Sequence, residues 1–579
     1  MGSLDAAEIL DADLTLNRRL RDLRLVASSL KGSRMTPLQA CYAFIENRFI
    51  DLHARKFFSG LPDDEKHYWI SSLYALLMPE ARRRRLAAYF TPPHLAQYAI
   101  NLLIDAGIKP GEHTILDPAS GGAAFLVPLA ARIAAAAHQH GTAAANILSR
   151  IETTLAGVEI EPHLASLSQA LLADLLRNEI AAARHKLNVQ IRAADTLKLQ
   201  VPEPLYDAVI GNPPYGRVYR PSKAILERFA PVITNGYVNL YALFIEQALR
   251  WARPGGIVCL IVPLSFVGGA NFAALRKHIL ETARVVSIDP IDKRSDVFLD
   301  VLYDVCVLVL EKKNGKARPR PATSSLLLAN EPPRKLGRPD LPVFPSERIW
   351  ALPDGTQDDR LFQDGLETLQ DYGYITKTGY FVWNRERHRY RTGYTPRTNE
   401  VPLFWAHNVK PNVICEPHDG EADLPRIGLA KVAKESSAIV LTDAVILQRT
   451  SNRRQRRRLI AGVIRQGRVP GQRGFVSENH TILVVPDPAK TQKLPLKVLC
   501  RLLNTATVDA RFRRISGTVS VSTKALRSLP LPAAREVRAA FAEGVSDDEA
   551  AEIAYAKSIC DGDRRALRAK RTAEGADET

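Results

Sequence analysis

Cysteine is scarce in this 579-residue chain: six residues, at 41, 259, 306, 415, 500 and 560, none in a C-x-x-C pair. That scatter excludes a disulfide-stapled scaffold, carries no zinc signature and suits reduced thiols in a cytosol. No apolar run reaches the ~18 residues of a membrane span. The opening MGSLDAAEILDADL is acidic where a secretory leader is basic and then apolar. A soluble, cytoplasmic protein is expected. No internal repeat is present. Acid is in deficit, with 62 Asp and Glu against 79 Lys and Arg and a net charge of +17. A surplus of that size attracts polyanions, nucleic acid first, although a basic protein that merely stays soluble fits the charge equally well.

What is present divides the chain into segments. Residues 1–85 carry amphipathic stretches of 3.6 period, such as LTLNRRLRDLRLVASSL and DDEKHYWISSLYALL, and no strand-like alternation. A helical N-terminal module is expected there. From 86 to 320, short β-branched runs (HTILDP, TLAGVEI, NVQIRAAD, YDAVIGNPP, GGIVCLIVP, RVVSIDP) alternate with helical stretches. This pattern predicts an α/β unit with a doubly wound, mostly parallel sheet. The Pro- and Lys/Arg-rich KKNGKARPRPATSS reads as a linker, and 321–558 as a mixed α+β domain of no clean period. The last residues, 559–579, are charged, hold few large apolar side chains and are expected to fray.

Three acids end three successive strands of the α/β segment. In ILDPASGGAAF, Asp117 is followed by small residues that let a backbone approach a ligand at the carboxyl end of a strand, the place for a nucleoside-type cofactor. A tight turn packed on its own helix is the other reading of that loop. Glu159 ends GVE, where a carboxylate takes both hydroxyls of a ribose. Asp195 ends the next strand, placed to accept from an adenine amino group. The fourth strand ends in Asn212-Pro213-Pro214-Tyr215.

An exocyclic amine on an aromatic base is a weak nucleophile because its lone pair is delocalised into the ring. Accepting both of its protons, on the Asn212 side-chain oxygen and the Pro213 carbonyl, favours a tetrahedral nitrogen with the pair free. The two prolines hold these acceptors rigid, fixing φ and keeping the residue before each extended. Tyr215 offers a face on which a flipped base stacks, worth roughly 1–3 kcal/mol.

With these motifs in place, residues 86–311 resemble the catalytic domain of the γ-class, TaqI-like N6-adenine DNA methyltransferases of restriction–modification systems. The segment AAYFTPPHLAQYAI resembles the part of that family lying before the Gly-rich turn. The resemblance implies S-adenosyl-L-methionine as cofactor, with Tyr89 and Thr91 at its methionine end. Asp117, Ala119 and Gly121 would line the turn, Glu159 would bind the ribose and Asp195 the adenine, with Asn212 beside them. Asn212, Pro213, Pro214 and Tyr215 would hold the target base, and Phe298 is the candidate for a second ring packed on it. The chain departs from the family's turn at Gly122, where serine is usual, and at Ala123, where glycine is usual, which puts cofactor affinity in question. The interval from Asp117 to Glu159 is also longer than the usual ~20 residues and calls for an extra Ala-rich helical segment. The implied chemistry is direct in-line methyl transfer without a covalent enzyme intermediate or a metal.

The C-terminal half has the size of a target-recognition domain for double-stranded DNA. Arg449, Arg453, Arg454, Arg456 and Arg457, with Arg513, Arg514 and Lys524, are the expected phosphate or base contacts. A solvated charged face is the alternative for each. The family implies a separately encoded restriction endonuclease as partner. Methylation of cytosine N4, of RNA adenine or of a protein glutamine, and a catalytically silent DNA-binding relative, are the other functional readings.

Overall fold

The computed structural model describes residues 6–31, 35–48, 52–61, 63–86, 91–200, 205–292, 304–315, 321–328, 331–341, 349–355, 361–418, 426–450, 457–471, 473–516 and 521–574. They fall into two compact units. The first comprises Met1–Phe266, Asn271–Pro339 and Val343–Glu347, and the second Val267–Ala270, Asp340–Pro342 and Arg348–Thr579.

The first unit is built on a seven-stranded sheet. Its strands are β1 (Ile115–Asp117), β2 (Leu155–Glu159), β3 (Gln190–Ala193), β4 (Tyr206–Gly211), β5 (Ala252–Pro263), β6 (Ala283–Pro290) and β7 (Val305–Lys312). Their order is β3-β2-β1-β4-β5-β7-β6. Neighbours are parallel as far as β5, with Leu116 paired to Ala156 on one side and Val209 on the other. Only β7 runs antiparallel, between β5 and β6. Both faces of the central strands are covered, which is why their sequences are continuous apolar runs such as IVCLIVP rather than alternating ones. The expected doubly wound sheet is therefore present. Strand order reverses between β1 and β4, which opens a crevice at their carboxyl ends.

Helices α1 (Ala6–Lys31), α2 (Pro37–Ile45), α3 (Leu52–Ser59), α4 (Asp63–Leu77) and α5 (Glu80–Leu86) precede the sheet. Helix α2 is started by a capping box between Thr36 and Gln39 with Pro37 at its first turn. The helical N-terminus expected as a module of its own shares one continuous core with the sheet. Leu23, Phe44, Trp69 and Leu73 belong to the same buried cluster as Ile115, Leu164 and Leu171. The His67 imidazole bonds Asp174 at 2.8 Å. Helix α6 (Pro93–Asp105) follows. The long interval between β1 and β2 holds two helices, α7 (Leu126–Gln139) and α8 (Ala144–Thr154), and α9 (Pro162–Leu175) follows β2.

The second unit contains β8 (Tyr374–Thr378), β9 (Tyr390–Gly393), β10 (Glu400–Phe404), β11 (Ile427–Lys431), β12 (Ala444–Gln448), β13 (Ala461–Ile464), β14 (Val476–Ser477) and β15 (Thr481–Pro486). These form two four-stranded sheets, β8-β15-β12-β13 and β9-β11-β10-β14. Helices α10 (Leu496–Leu503), α11 (Ala506–Ile515), α12 (Thr523–Arg527), α13 (Ala534–Ala542) and α14 (Asp547–Glu574) follow. Leu447, Val484, Leu499, Phe512 and Leu526 share their core. Helix α14 runs through 559–574, where fraying is expected from composition. Ala, Arg, Lys and Glu are strong helix formers, and its earlier turns are anchored by buried Ala550, Ala554 and Tyr555. The boundary between units lies at 339–348 rather than at 321, because the segment around Ser324 adds backbone bonds to the edge strand β6.

Candidate active site at the carboxyl ends of the strands

Asp117 ends β1 and is 1% exposed. Its Oδ1 accepts the Ala119 N–H at 3.0 Å, while Oδ2 is buried with no hydrogen-bond partner among the described residues. Burial, opposed by the Ala119 bond and reinforced by Glu159, pushes its pKa up to about 8. Gly211, at the end of β4, packs directly on it: a Cβ there would sit 2.9 Å from Asp117 Oδ1 and 3.2 Å from Pro118 Cδ. The glycine thus sets how closely the Asn212 turn approaches the Asp117 loop.

That loop is held from three directions. Glu159 Oε2 accepts the Gly121 N–H at 2.8 Å, and its Oε1 accepts the Glu161 N–H at 2.8 Å. Ser168 donates to the Gly121 carbonyl at 2.8 Å and Ser71 of α4 donates to the Gly122 carbonyl at 3.0 Å. Gly121 and Ala123 both lie in the left-handed region, at φ 52° and 59°. Ala123, at the family's glycine position, is fully buried and adopts the glycine conformation at a steric cost of roughly 1–2 kcal/mol. Glu159 is buried too, and loss of solvation raises its carboxyl above the usual range against the amides it accepts. It therefore serves the loop as well as facing the crevice.

Asp195 lies just beyond β3. It caps a single 3-10 turn through the Leu197 N–H at 3.1 Å and pairs with Lys198 at 3.3 Å. The next residue, Thr196, donates to the Pro118 carbonyl at 2.6 Å and ties this strand end to the first.

The Asn212 amide is fixed at both ends. Its Nδ2 donates to buried Thr91 Oγ1 at 3.1 Å, and its Oδ1 accepts the Tyr215 hydroxyl at 2.6 Å. The same hydroxyl lies 3.2 Å from the Ile261 carbonyl of β5. Tyr215 is half-buried and packs on the core of the unit, so its phenol orients Asn212 in addition to presenting a ring. Residue types alone did not signal this bond, nor the support from Ser71 and Ser168. Arg82 and Glu161 form a further ion pair at 2.6 Å beside Glu159.

The structure thus brings Thr91 to Asn212, and Asp117, Ala119, Gly121 and Glu159 into one cluster, with Asp195 reached through Thr196. Tyr89 and Phe298 lie outside the described residues, as do Arg453, Arg454 and Arg456. Of the other arginines expected to contact DNA, Arg514 is 5% exposed and donates through Nε to the Leu352 carbonyl at 2.8 Å. It is part of the core and not of a phosphate-binding face, because α11 turns that side inward. Arg449 bonds the Asn479 carbonyl at 3.0 Å, Arg457 reaches the Asn504 carbonyl and Asp548, and Arg513 pairs with Asp509 at 2.7 Å. Lys524 is half-buried on α12. Among the described residues no helix is long and apolar enough to cross a membrane.

Residues 152–298 match the family described as Eco57I restriction-modification methylase. Type II methyltransferase M.TthHB8I of Thermus thermophilus is 27% identical over 220 residues, covering 36% of this chain and 42% of that protein. M.BsuBI of Bacillus subtilis is 24% identical over 345 residues, covering 55% and 64%, and M.PstI of Providencia stuartii is 24% identical over 360, covering 59% and 68%. The matched stretch therefore spans about two fifths to two thirds of these relatives. Among solved structures, the type IIL restriction-modification enzyme MmeI in complex with DNA aligns over 95% of this chain and 92% of its own, with a TM-score of 0.52 and 14% identity. That likeness is one of fold. The stretch that matches the Eco57I restriction-modification methylase family model is the one that holds Glu159, Asp195 and the Asn212 turn.

Proposed function

We propose that the chain is an S-adenosylmethionine-dependent methyltransferase acting on the N6 amine of adenine in double-stranded DNA. It would serve as the modification enzyme of a type II restriction–modification system with a separately encoded endonuclease. The observation that carries this reading is the doubly anchored Asn212 amide at the carboxyl end of β4, beside the Asp117 loop. The loop suits the cofactor: Asp117 Oδ2 is a buried acceptor or donor without a partner, and the small residues at 119–123 leave the backbone open to close approach.

When bound, S-adenosylmethionine supplies an electrophilic methyl group on a sulfonium. The protein's own residues do the remainder. Thr91 and Tyr215 prevent the Asn212 amide from flipping, so its oxygen, with one lone pair still open, faces the amine. Asn212 Oδ1 and the Pro213 carbonyl each hold one N–H of that amine and draw its lone pair out of conjugation. The proton left on the methylated nitrogen is acidic and departs late, so no strong general base is required. Positioning and preorganised acceptors account for most of the rate.

The test is transfer of labelled methyl from S-adenosylmethionine to unmethylated bacterial DNA, followed by nucleoside analysis of the digest. N6-methyladenine is expected from the native protein, and Asn212→Ala should lower the rate by roughly 10²–10³-fold, the scale for losing one preorganised polar contact. Cofactor binding without label in DNA would refute the reading.

A further inference from the structure

The second unit holds a cavity of about 820 Å³ walled by Trp383, Tyr390 and Trp405. Tyr390 begins β9, Trp405 follows β10, and Trp383 starts the short helical turn before β9. The three rings meet edge to face: their centroids are 5.3, 5.4 and 5.6 Å apart, at interplanar angles of 76°, 67° and 87°. The three rings line the cavity together with His407, which stacks on Trp405 with centroids 6.2 Å apart at 13°. Gly428 on β11 is what lets two of them close up. A Cβ there would lie 3.1 Å from Trp405 Nε1 and 3.2 Å from the Tyr390 ring. Among the described residues the buried Trp405 N–H has no hydrogen-bond partner.

The same cavity is lined by Glu478, 3% exposed. Its carboxylate accepts from His480 alone among the bonds of the described residues, at 2.6 Å from Nδ1 and 2.9 Å from the backbone N–H. Each oxygen retains a second lone pair. Asn384, Asn479 and Thr450 add amide and hydroxyl groups to the lining. Aromatic walls with a carboxylate suit either an organic cation or a flat base with N–H donors. Arg387 decides between them. Its guanidinium already lies over the Trp383 ring at 5.4 Å, so a second positive charge against that wall would be repelled. Arg449 bonds the Asn479 backbone beside the cavity and adds to a field that favours a polyanionic strand.

We propose that this cavity takes a single unstacked nucleobase of a nucleic acid strand. The base lies against the indole rings and gives its amino edge to Glu478. This second base site belongs to the second unit and does not depend on methyl transfer at Asn212.

A saturation-transfer NMR titration of the full chain with dGMP, dAMP, dCMP and TMP tests it. Base protons of the three amino-bearing nucleotides should receive more saturation than their sugar protons. TMP, which has no exocyclic amine, should bind several-fold more weakly. Trp383→Ala should weaken binding by about tenfold, within the range for loss of one stacking ring, whereas Trp383→Phe retains most of it. Glu478→Gln should erase the preference over TMP, and because that residue is buried, Trp383→Phe is the variant that keeps the test valid if Glu478→Gln fails to fold. Asn212→Ala should leave the Trp383-dependent part of the binding unchanged. No base saturation at 10 mM would overturn the proposal. So would binding lost in Asn212→Ala but kept in Trp383→Ala, or binding of tetramethylammonium in place of the nucleotides.

Discussion

The two groups of polar residues that stand out in the sequence have opposite fates in the fold. At the ends of β1, β2 and β4, the acids and the asparagine bond to nearby backbone or hydroxyl groups and keep acceptor capacity toward a crevice. In the second unit, the described arginines of that group are consumed by the fold: one is buried, one pairs with an aspartate on its own helix, and others cap carbonyls. Strand-end position is fixed by backbone geometry and can be counted along a chain. The direction in which an arginine points is set by whatever packs against its helix.

Four measurements sharpen or break this contrast. The largest effect concerns Asp117. Its folded pKa is raised to about 8, above an unfolded value of about 3.9, so its contribution to stability is complete below pH ~4 and is lost as pH rises to 8. Urea unfolding at pH 5 to 8 should show native stability falling relative to Asp117→Asn, by at most about 1.4 kcal/mol per pH unit. A difference that is flat with pH would mean that the carboxyl is ionised and solvated. Next, Arg514→Ala should cost about 2–4 kcal/mol through lost packing and an unsatisfied Leu352 carbonyl, read by the same method. DNA affinity per folded molecule should not change. A loss of affinity at unchanged stability would return Arg514 to the DNA-facing group.

Tyr215→Phe should retain the ring and release Asn212. A fall of about tenfold in kcat is expected, the worth of one hydrogen bond. No change would leave the phenol without an orienting role. The smallest effect is Ala123→Gly. Relief of about 1–2 kcal/mol of left-handed strain is set against loss of a buried methyl worth about 0.8 kcal/mol. The unfolding free energy should therefore change by about 1 kcal/mol or less, and a larger loss would show that the methyl is a packing element of the turn.

Much of the first unit was legible because its signals are local. Alternating apolar runs mark strands, and Asp117, Glu159 and Asn212 follow them at positions the backbone must expose. The shared core of α1–α4 with the sheet was not legible, since amphipathic helices declare an apolar face without naming what covers it. Arg514 was misplaced for a related reason: its acceptor, Leu352, is 162 residues away. Trp383, Tyr390 and Trp405 obey no period and converge because β9 and β10 share a sheet and Trp383 lies on the helical turn before β9. The support of the Gly122 carbonyl by Ser71, 51 residues earlier, left no trace in either motif.

The antiparallel strand β7, wedged between β5 and β6, sets a schedule for synthesis. Tyr215 leans on the carbonyl of Ile261 in β5, yet β5 stays an open edge until Lys312 has been made, about a hundred residues after the tyrosine. At translation rates of roughly 5–20 residues per second, the nascent Asn212 turn waits on the order of 5–20 s with one flank of its sheet unpaired. In that interval the β5 edge is open to strand-edge aggregation, and faster or chaperoned translation across 262–312 would raise the yield of the folded chain.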